Sequence, residues 1–512
     1  MSTQTENKPS GWERSSFVRC CRWICSKRGI RRIGIVLAWV VTINFLIYGE
    51  ENWRGHHAWN QYLQTPEGRG ASQDYANYIP PTVPEDQNVA ATPFLKSLII
   101  DRNTPILTND IYYRAGNYIS DANLARDGGR RHFADLAAWQ MASTALQGGP
   151  LKRDHYFETD QTDLATRAAA APAVLAGMKP DEAVFAELRA AFTRKFSRFP
   201  VNYDLEQPWN TMVPHLAGVK GLCSRLNLMA RAELAAGQSD QALSDVKLML
   251  ALGDSVKSEP FLISYLVRVA CVQIAISPVW EGLAEHGWND AQLKELQERF
   301  SAFDFLTDLE RPLQAERADA LLAADFMKRP GPGWLIPSGW CAREKLNYSV
   351  LFDVEMKGVM DLGSKTVSPA TARSNAVELA RQLPGLDAGS RVIAFLHSRL
   401  IASMMLPALD NAYAKTAAAQ TAADQAAVAC ALERYRLANG QFPETLAALT
   451  PKFMSQLPHD VITGQPFKYR RTDDGQFVLY SVGWNEKDDG GVPGKHLFDQ
   501  KQGDWVWSYP AK

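Results

Sequence analysis

The most constraining feature of the sequence is an uncharged apolar run at residues 33–49, IGIVLAWVVTINFLIYG. Its 17 residues match the lower end of the length that a helix needs to cross a bilayer. Basic residues precede the run and acidic residues follow it: Lys27, Arg28, Arg31 and Arg32 before, Glu50 and Glu51 after. Since basic residues favour the cytoplasmic side, the sequence predicts a cytoplasmic tail at residues 1–32, one transmembrane anchor at residues 33–49, and the rest of the chain outside.

Two other interpretations of this run stay open, a cleaved secretory signal and a buried helix of a soluble domain. The basic region is long for a signal peptide, and no small-x-small cleavage site precedes Glu50. The change of charge across the run argues against a buried helix. We therefore expect an uncleaved anchor.

The composition narrows the class of protein. A chain of 512 residues has room for two to four domains, and 46% hydrophobic with 22% charged residues is typical of a globular protein. The net charge of −1 gives no global field for nucleic acid, so we expect no nucleic-acid partner. Seven cysteines are too few for a disulfide scaffold, although a bridge between Cys223 and Cys271 stays open.

Residues 50–130 are predicted to form an extended, proline-rich strap with short helices. The first part has aromatic and small residues at helical spacing: Trp53, Ala58, Trp59 and Tyr62. Prolines at positions 80, 81, 84 and 93 favour an extended backbone in the second part, because the residue before a proline avoids the helical region.

Residues 131–390 are predicted to form a helical domain, because apolar residues recur three and four positions apart in one segment after another. The stretch ARAELAAGQSDQALSDVKLML, with its turn at Gly237, resembles a tetratricopeptide hairpin. No 34-residue period is sustained, so we expect an irregular helical array that is at most weakly tetratricopeptide-like. The segment RPGPGWLIPSGW at residues 329–340 is predicted to form a long ordered loop or lid, and its tryptophans could cover the core.

The pattern ENWRG…IPPxVPxDQN resembles the start of a family of uncharacterised, membrane-anchored bacterial proteins. The stretches EPFLISYLVRVACVQIA and PVWEGLAEHGWNDAQL are similar to the helical middle of that family. This resemblance implies no activity. Together with the charge asymmetry around residues 33–49, it leads us to expect an inner-membrane protein whose bulk lies in the periplasm.

Residues 391–512 are predicted to form a long helix followed by a small antiparallel sheet. One helical pattern covers residues 391–439, with a kink at Pro407 and an end at Gly440. The segments FKYRR, QFVLYSV and DWVWSY are predicted strands, with a turn at DDG between the first two. We expect Leu432, Tyr435, Val478 and Tyr480 to fill the interface between helix and sheet. A second membrane span at residues 392–409 is the rival prediction, which His397 and Arg399 disfavour.

The C-terminal segment resembles the soluble part of the major pseudopilin of type II secretion. Its residues match the motifs of that family in order: Tyr435, Gly440, Phe442, Pro443, Leu457, Pro458, Asp460, Gly464, Pro466, Phe467, Tyr469, Phe477, Ser481, Gly483 and Asn485. The resemblance implies a long helix that carries an α+β, pilin-like module. No processing site precedes the apolar run at residues 33–49, so we expect no filament assembly.

The same resemblance implies a calcium site after Ser481. The matching positions are Asn485 and Asp504, and Asp488 and Asp489 lie between them. Carboxylate and carbonyl oxygens are the ligands that calcium takes. Asn485 stands where that family has an aspartate, which lowers the charge of the site. The alternative is a solvated acidic turn.

The sequence assigns no catalytic residue. It has no HExxH, CxxC or GxSxG motif, and GGVPGKH at residues 490–496 departs from a phosphate-binding loop. Acidic residues on the helices, among them Glu310, Glu316 and Asp319, are expected on a solvated face. We therefore expect a membrane-anchored interaction or scaffold protein, associated with a secretion or envelope complex. The alternative is an extracytoplasmic hydrolase with an all-α catalytic domain.

Overall fold

The structure is a computed structural model that describes residues 20, 22–70, 73–100, 112, 128–145, 158–159, 163–327, 336–383 and 388–510. The described chain is mainly helical, with small antiparallel sheets. Its α-helices are α1 (Lys27–Tyr62), α2 (Pro66–Arg69), α3 (Pro93–Ile100), α4 (Leu136–Ala145), α5 (Leu164–Met178), α6 (Glu182–Ala191), α7 (His215–Ala235), α8 (Ser239–Asp254), α9 (Leu262–Ala284), α10 (Asp290–Ser301), α11 (Phe305–Phe326), α12 (Ser338–Met356), α13 (Pro369–Gln382), α14 (Ala388–Leu396), α15 (Leu400–Met405) and α16 (Asp410–Asn439). Its strands are β1 (Phe133–Ala134), β2 (Glu158–Thr159), β3 (Met360–Asp361), β4 (Thr366–Val367), β5 (Lys468–Arg471), β6 (Phe477–Ser481) and β7 (Trp505–Trp507).

Helix α1 contains the apolar run and continues beyond it without a break. Its 36 residues begin after the N-cap Ser26 and end at Tyr62, so the boundary expected at residue 49 lies inside the helix. The apolar window has a mean hydropathy of 1.8 and none of it is buried, which makes α1 a candidate membrane span. Helix α9 is also long and apolar enough to cross a membrane. However, 61% of its most apolar 18-residue segment is buried inside the protein, as in a core helix.

The last three turns of α1 pack against α12. Gly55 and Gly339 meet at the crossing, where a Cβ on Gly55 would lie 2.0 Å from the Gly339 carbonyl oxygen. Asn52 Oδ1 accepts the Gly339 N–H at 2.8 Å. Further along, the Tyr62 hydroxyl donates to Asp353 Oδ2 at 2.6 Å, and Arg317 donates to the Tyr62 oxygen. The helix predicted from the spacing of residues in this segment is thus confirmed. Its side chains pack α1 against α12.

The strap after α1 is less extended than its prolines predict. Among the described residues it contains α2, α3 and three short 3₁₀ segments, at Tyr75–Tyr78, Glu85–Gln87 and Val89–Ala91. Arg198 and Arg311 bind its carbonyl groups at Pro80 and Tyr78.

Helices α7, α8 and α9 pack together in the main core, and α16 packs against α9 and α10. The α7–α8 hairpin has the predicted turn, with Gly237 at φ +74°. Its likeness to a tetratricopeptide unit stays a prediction. Most of the predicted loop at residues 329–340 lies outside the described residues, which resume at Ile336.

The C-terminal prediction of strands is confirmed, and one detail of their packing is wrong. The strands form an antiparallel sheet in the order β5–β6–β7, and α16 ends at Gly440 as expected. Phe477 and Leu479 join the main core, whereas Val478 and Tyr480 pack with Val506 in a separate cluster. Side chains alternate between the two faces of a strand, so assigning Val478 and Tyr480 to the interface with α16 placed them on the wrong face.

The single long helix predicted for residues 391–439 is also wrong in its first third. The chain forms α14 and α15, and α16 begins only at Asp410. Side chains of α12 stabilise the break: Asn347 donates to the carbonyl oxygens of His397 and Ser398, and Glu344 accepts N–H groups from the start of α15. Ser398 has φ +53°. Neither helix is long enough to cross a bilayer.

Candidate functional site

The acidic loop between β6 and β7 is closed by Asp504. This residue directly precedes β7 and is 2% exposed. Its Oδ1 accepts the N–H of Asp489 at 3.1 Å, and its Oδ2 accepts the N–H of Gly491 at 2.6 Å. Burial raises the pKa of the Asp504 carboxyl group above its ordinary value. Asp504 therefore joins the two arms of the loop.

Asn485 and Asp489 lie beside this closure. The Asn485 amide donates to Asp489 Oδ2 at 3.2 Å, and Lys487 Nζ lies 2.6 Å from Asp489 Oδ1. The hydrogen bond from Lys487 lowers the pKa of the Asp489 carboxyl group. The structure thus brings together three of the four predicted site residues, Asn485, Asp489 and Asp504.

The fourth predicted site residue, Asp488, binds other partners. Its Oδ1 accepts hydrogen bonds from the Tyr480 hydroxyl at 3.2 Å and from the Gly490 N–H at 3.0 Å. Its Oδ2 lies 3.4 Å from Lys468 Nζ. The Gly490 N–H is the main cause that lowers the pKa of Asp488. Asp488 fastens the loop to the outer face of the sheet.

Close glycine contacts complete the loop. A Cβ on Gly503, at φ +75°, would lie 2.2 Å from the Gly494 nitrogen, and a Cβ on Gly494 would lie 2.3 Å from the Gln502 carbonyl oxygen. Only glycine allows the arms to approach this closely. Residues 490–496 lie in this loop, without the strand and helix of a phosphate-binding loop.

Calcium binding in this loop stays a prediction. The clustered residues supply two carboxylates and one side-chain amide, whereas calcium takes six to eight oxygens. The carboxylate oxygens of Asp489 and Asp504 already accept N–H groups from Lys487, Asn485 and the backbone. In the part of the chain that the structure describes, no three His, Cys, Asp or Glu side chains are grouped so that they could hold a metal ion. The arrangement therefore fits a turn that its own hydrogen bonds close.

A pair of buried carboxyl groups lies beside a cavity of about 590 Å³ between α5, α6, α7 and α8. Glu233, which lines the cavity, is 7% exposed, and Asp245 is 0% exposed. Arg189 is hydrogen-bonded to Asp245. Burial first, and the charge of Asp245 second, raise the pKa of Glu233 to about 9. Burial raises the pKa of Asp245 to about 6, against the opposing effect of Arg189. At neutral pH Glu233 is therefore protonated.

A second group of buried charges centres on Glu281 of α9, which is 0% exposed. Arg167 and Arg231 both bind its carboxylate, and the Ala134 N–H donates to Glu281 Oε1 at 2.5 Å. The same two arginines donate to the carbonyl oxygens of Ala134 and His132. Since each charge has partners, this cluster connects β1 to the helices, and it faces none of the cavities described here.

Two further cavities have charged residues in their lining. One of about 490 Å³ lies under the strap and contains Arg268, which is bound to Asp254 and Asp308 at 2.8 Å each. The other, of about 560 Å³, lies between α10, α16 and the segment after α16. Asp424 lines it, and burial raises the pKa of this residue to about 8. Arg268 and Asp424 both have hydrogen-bond partners within the protein.

The sequence pattern did not indicate these buried carboxyl groups. Glu316 and Asp319, expected on a solvated face, are partly buried, and burial raises the pKa of Asp319 to about 7. Glu310 is exposed, as expected. Cys223 and Cys271 are neighbouring buried thiols, both free. Helical periodicity identifies the apolar face of a helix. It does not show which charged side chains beside that face are covered by another helix. Only the Ala- and Leu-rich sequence around Glu233 and Glu281 could have indicated that these two residues are buried.

Comparison of the chain with protein-family models, curated proteins and solved structures gave no match.

Proposed function

We propose that this protein is a membrane-anchored scaffold. Helix α1 would cross the inner membrane once, with residues 1–32 in the cytoplasm and the helical body in the periplasm. The observation that carries the proposal is the continuity of α1, whose exposed apolar run passes directly into the segment docked on α12. A helix without a break, packed through Gly55 and Gly339, holds the body at a fixed orientation to the membrane.

The partner would be a protein of the cell envelope or of a secretion complex. The surface proposed for its recognition is the loop between β6 and β7, which exposes the apolar side chains of Val492 (60%) and Leu497 (38%). Its acidic closure at Asp489 and Asp504 keeps this loop in one conformation, which favours recognition, because little conformational entropy is lost on binding. The pilin-like character of the module belongs to this proposal.

Site-specific photo-crosslinking of the full-length protein in its membrane tests the scaffold function. A photo-reactive residue at position 492 should form an adduct with one envelope protein. A matched control at Val377, which is 54% exposed on α13, should not. Absence of any adduct from position 492, or the same adducts from position 377, would contradict the proposal.

The hydrolase alternative draws on the pair Glu233 and Asp245 beside its cavity. A catalytic carboxyl group has to reach its substrate, and Asp245 is 0% exposed and bound to Arg189. These contacts support a structural role for the pair, and we therefore propose the scaffold function.

A further inference from the structure

Helix α14 exposes an apolar surface that no described element covers. Val392, Ile393, Phe395 and Leu396 are 59%, 50%, 38% and 66% exposed, and Ala394 between them is 0% exposed. Met404 of the following helix α15 is 64% exposed. These five exposed side chains are the apolar patch. Single exposed apolar residues are common on soluble proteins, but a cluster of this kind marks a surface that has a partner.

Helix α12 holds the patch firmly. Trp340 Nε1 donates to the Phe395 carbonyl oxygen at 2.8 Å, and the two ring centroids are 4.6 Å apart. Further along α12, Glu344 accepts the Leu400 N–H at 2.8 Å, and Asn347 donates to the Ser398 carbonyl oxygen at 2.7 Å. These three residues lie on one face of α12, three and four positions apart.

A neighbouring face of the same helix holds α1. Gly339 packs on Gly55, and Arg343 Nη2 lies 2.6 Å from Glu51 Oε1. Just before α12, the Ile336 carbonyl oxygen lies 3.5 Å from the Tyr48 hydroxyl. The beginning of α12 is therefore level with the segment of α1 that directly follows the apolar run.

These contacts fix the position of the patch along α1. The run ends at residue 49. The first turns of α12 contact residues 51–55, which lie about 3–9 Å further along a helix that rises about 1.5 Å per residue. A layer of this thickness next to the hydrocarbon core is the headgroup region, where short amphipathic helices lie parallel to the membrane and aromatic side chains are common.

We propose that α14 lies in the headgroup layer of the bilayer that α1 crosses, with the apolar patch inserted towards the acyl chains. The inference rests on the proposed membrane anchoring by α1. It adds a second membrane contact, held by α12, which prevents the body from rotating about the axis of α1. A bilayer fits better than a protein partner, because Trp340, which holds Phe395 of the patch, lies at the start of the helix that contacts α1 at Glu51 and Gly55, directly after the apolar run.

Fluorescence quenching in proteoliposomes tests the contact. The full-length protein, with the three tail cysteines Cys20, Cys21 and Cys25 changed to Ser, receives one new cysteine for a bimane label. Val392→Cys and Leu396→Cys report on the patch, and Val377→Cys is the control, because Val377 is an exposed valine on another helix. Nitroxide groups on the acyl chains should quench positions 392 and 396 several-fold more strongly than position 377. Equal quenching at all three positions would overturn the inference.

A fourth label separates this inference from the anchoring on which it rests. Phe45 is 79% exposed within the apolar run, so a label at Phe45→Cys should be quenched if α1 spans the bilayer. Quenching at position 45 without quenching at positions 392 and 396 would overturn the α14 contact alone. No quenching at position 45 would contradict the anchoring as well. The labelled side chains are exposed, and circular dichroism of each variant confirms its fold.

Discussion

At the residue scale, Asp504 closes the C-terminal loop, because its two carboxylate oxygens accept N–H groups from Asp489 and Gly491. Replacing it with Asn turns one acceptor into a donor that faces an N–H group. We expect Asp504→Asn to lower the free energy of unfolding by about 1–3 kcal/mol, measured by urea denaturation. Asp488→Asn is the control, since Asp488 is far more exposed, and it should change stability by less. Equal effects of the two substitutions would contradict the assigned role.

The protonated Glu233 predicts a pH dependence of stability. Its pKa is about 9 in the folded protein, above that of an unfolded chain, so the folded state binds the proton more tightly. The free energy of unfolding should therefore fall as the pH rises from about 5 to about 9, by up to about 1.4 kcal/mol per pH unit. Glu233→Gln, which stays neutral, should make this slope smaller in denaturation measured at several pH values. Asp245, Asp319 and Asp424, whose pKa values burial also raises, should keep the rest of it. Glu182→Gln, an exposed change at the same cavity, should keep the full slope.

Buried carboxyl groups are also where sequence reasoning fails at this scale. Asp319 follows the helical period of a surface residue, and it is partly buried because neighbouring helices cover it. The acidic loop was predicted better, since Asn485, Asp489 and Asp504 do meet. The Asp488 side chain instead contacts Lys468 and Tyr480. The spacing of residues within the loop does not predict these contacts.

At the scale of elements, the crossing of α1 and α12 depends on two glycines. A Cβ on Gly55 would meet Gly339, whereas a Cβ on Gly49 of the same helix meets no atom within 4 Å. Alanine favours a helix over glycine by about 0.5–1 kcal/mol, so Gly49→Ala should leave the thermal stability of the detergent-solubilised protein unchanged or raise it. Gly55→Ala should lower it. A change of thermal stability in the same direction for both substitutions would contradict the packing of α1 on α12.

The sheet gives a second prediction at this scale. Leu479 is 0% exposed in the main core, and Val478 belongs to the small cluster on the other face. We expect Leu479→Ala to cost about 2–5 kcal/mol in the free energy of unfolding, and Val478→Ala clearly less. Chemical denaturation of the two variants measures the difference. A larger loss for Val478→Ala would mean that the register of β6 is wrong.

The types of most elements could be predicted from local pattern, and their ends and faces could not. The turn at Gly475 and the alternation of residues 477–481 predicted the β5–β6 hairpin. The break between α14 and α15 depends on Glu344 and Asn347, more than 50 residues earlier in the chain. Local periodicity carries no information about such distant contacts.

At the scale of the whole molecule, the helical body and the C-terminal sheet share one core. Gln425 donates to the Trp505 carbonyl oxygen, and Trp280 of α9 donates to that of Ser508. Residues of α9, α16 and the sheet belong to the same buried cluster. The loop between β6 and β7 is therefore carried by a sheet that is packed into the helical core.

Helix α1 is proposed to anchor a helical body that lies outside the membrane. Protease treatment of intact spheroplasts that produce the full-length protein with a C-terminal epitope tests it most directly. We predict that the protease removes the epitope from intact cells, while a label at residue 20 stays protected until the membrane is permeabilised, and that alkaline carbonate does not extract the protein. Protection of the epitope in intact spheroplasts, or release of the protein by carbonate, would contradict the account.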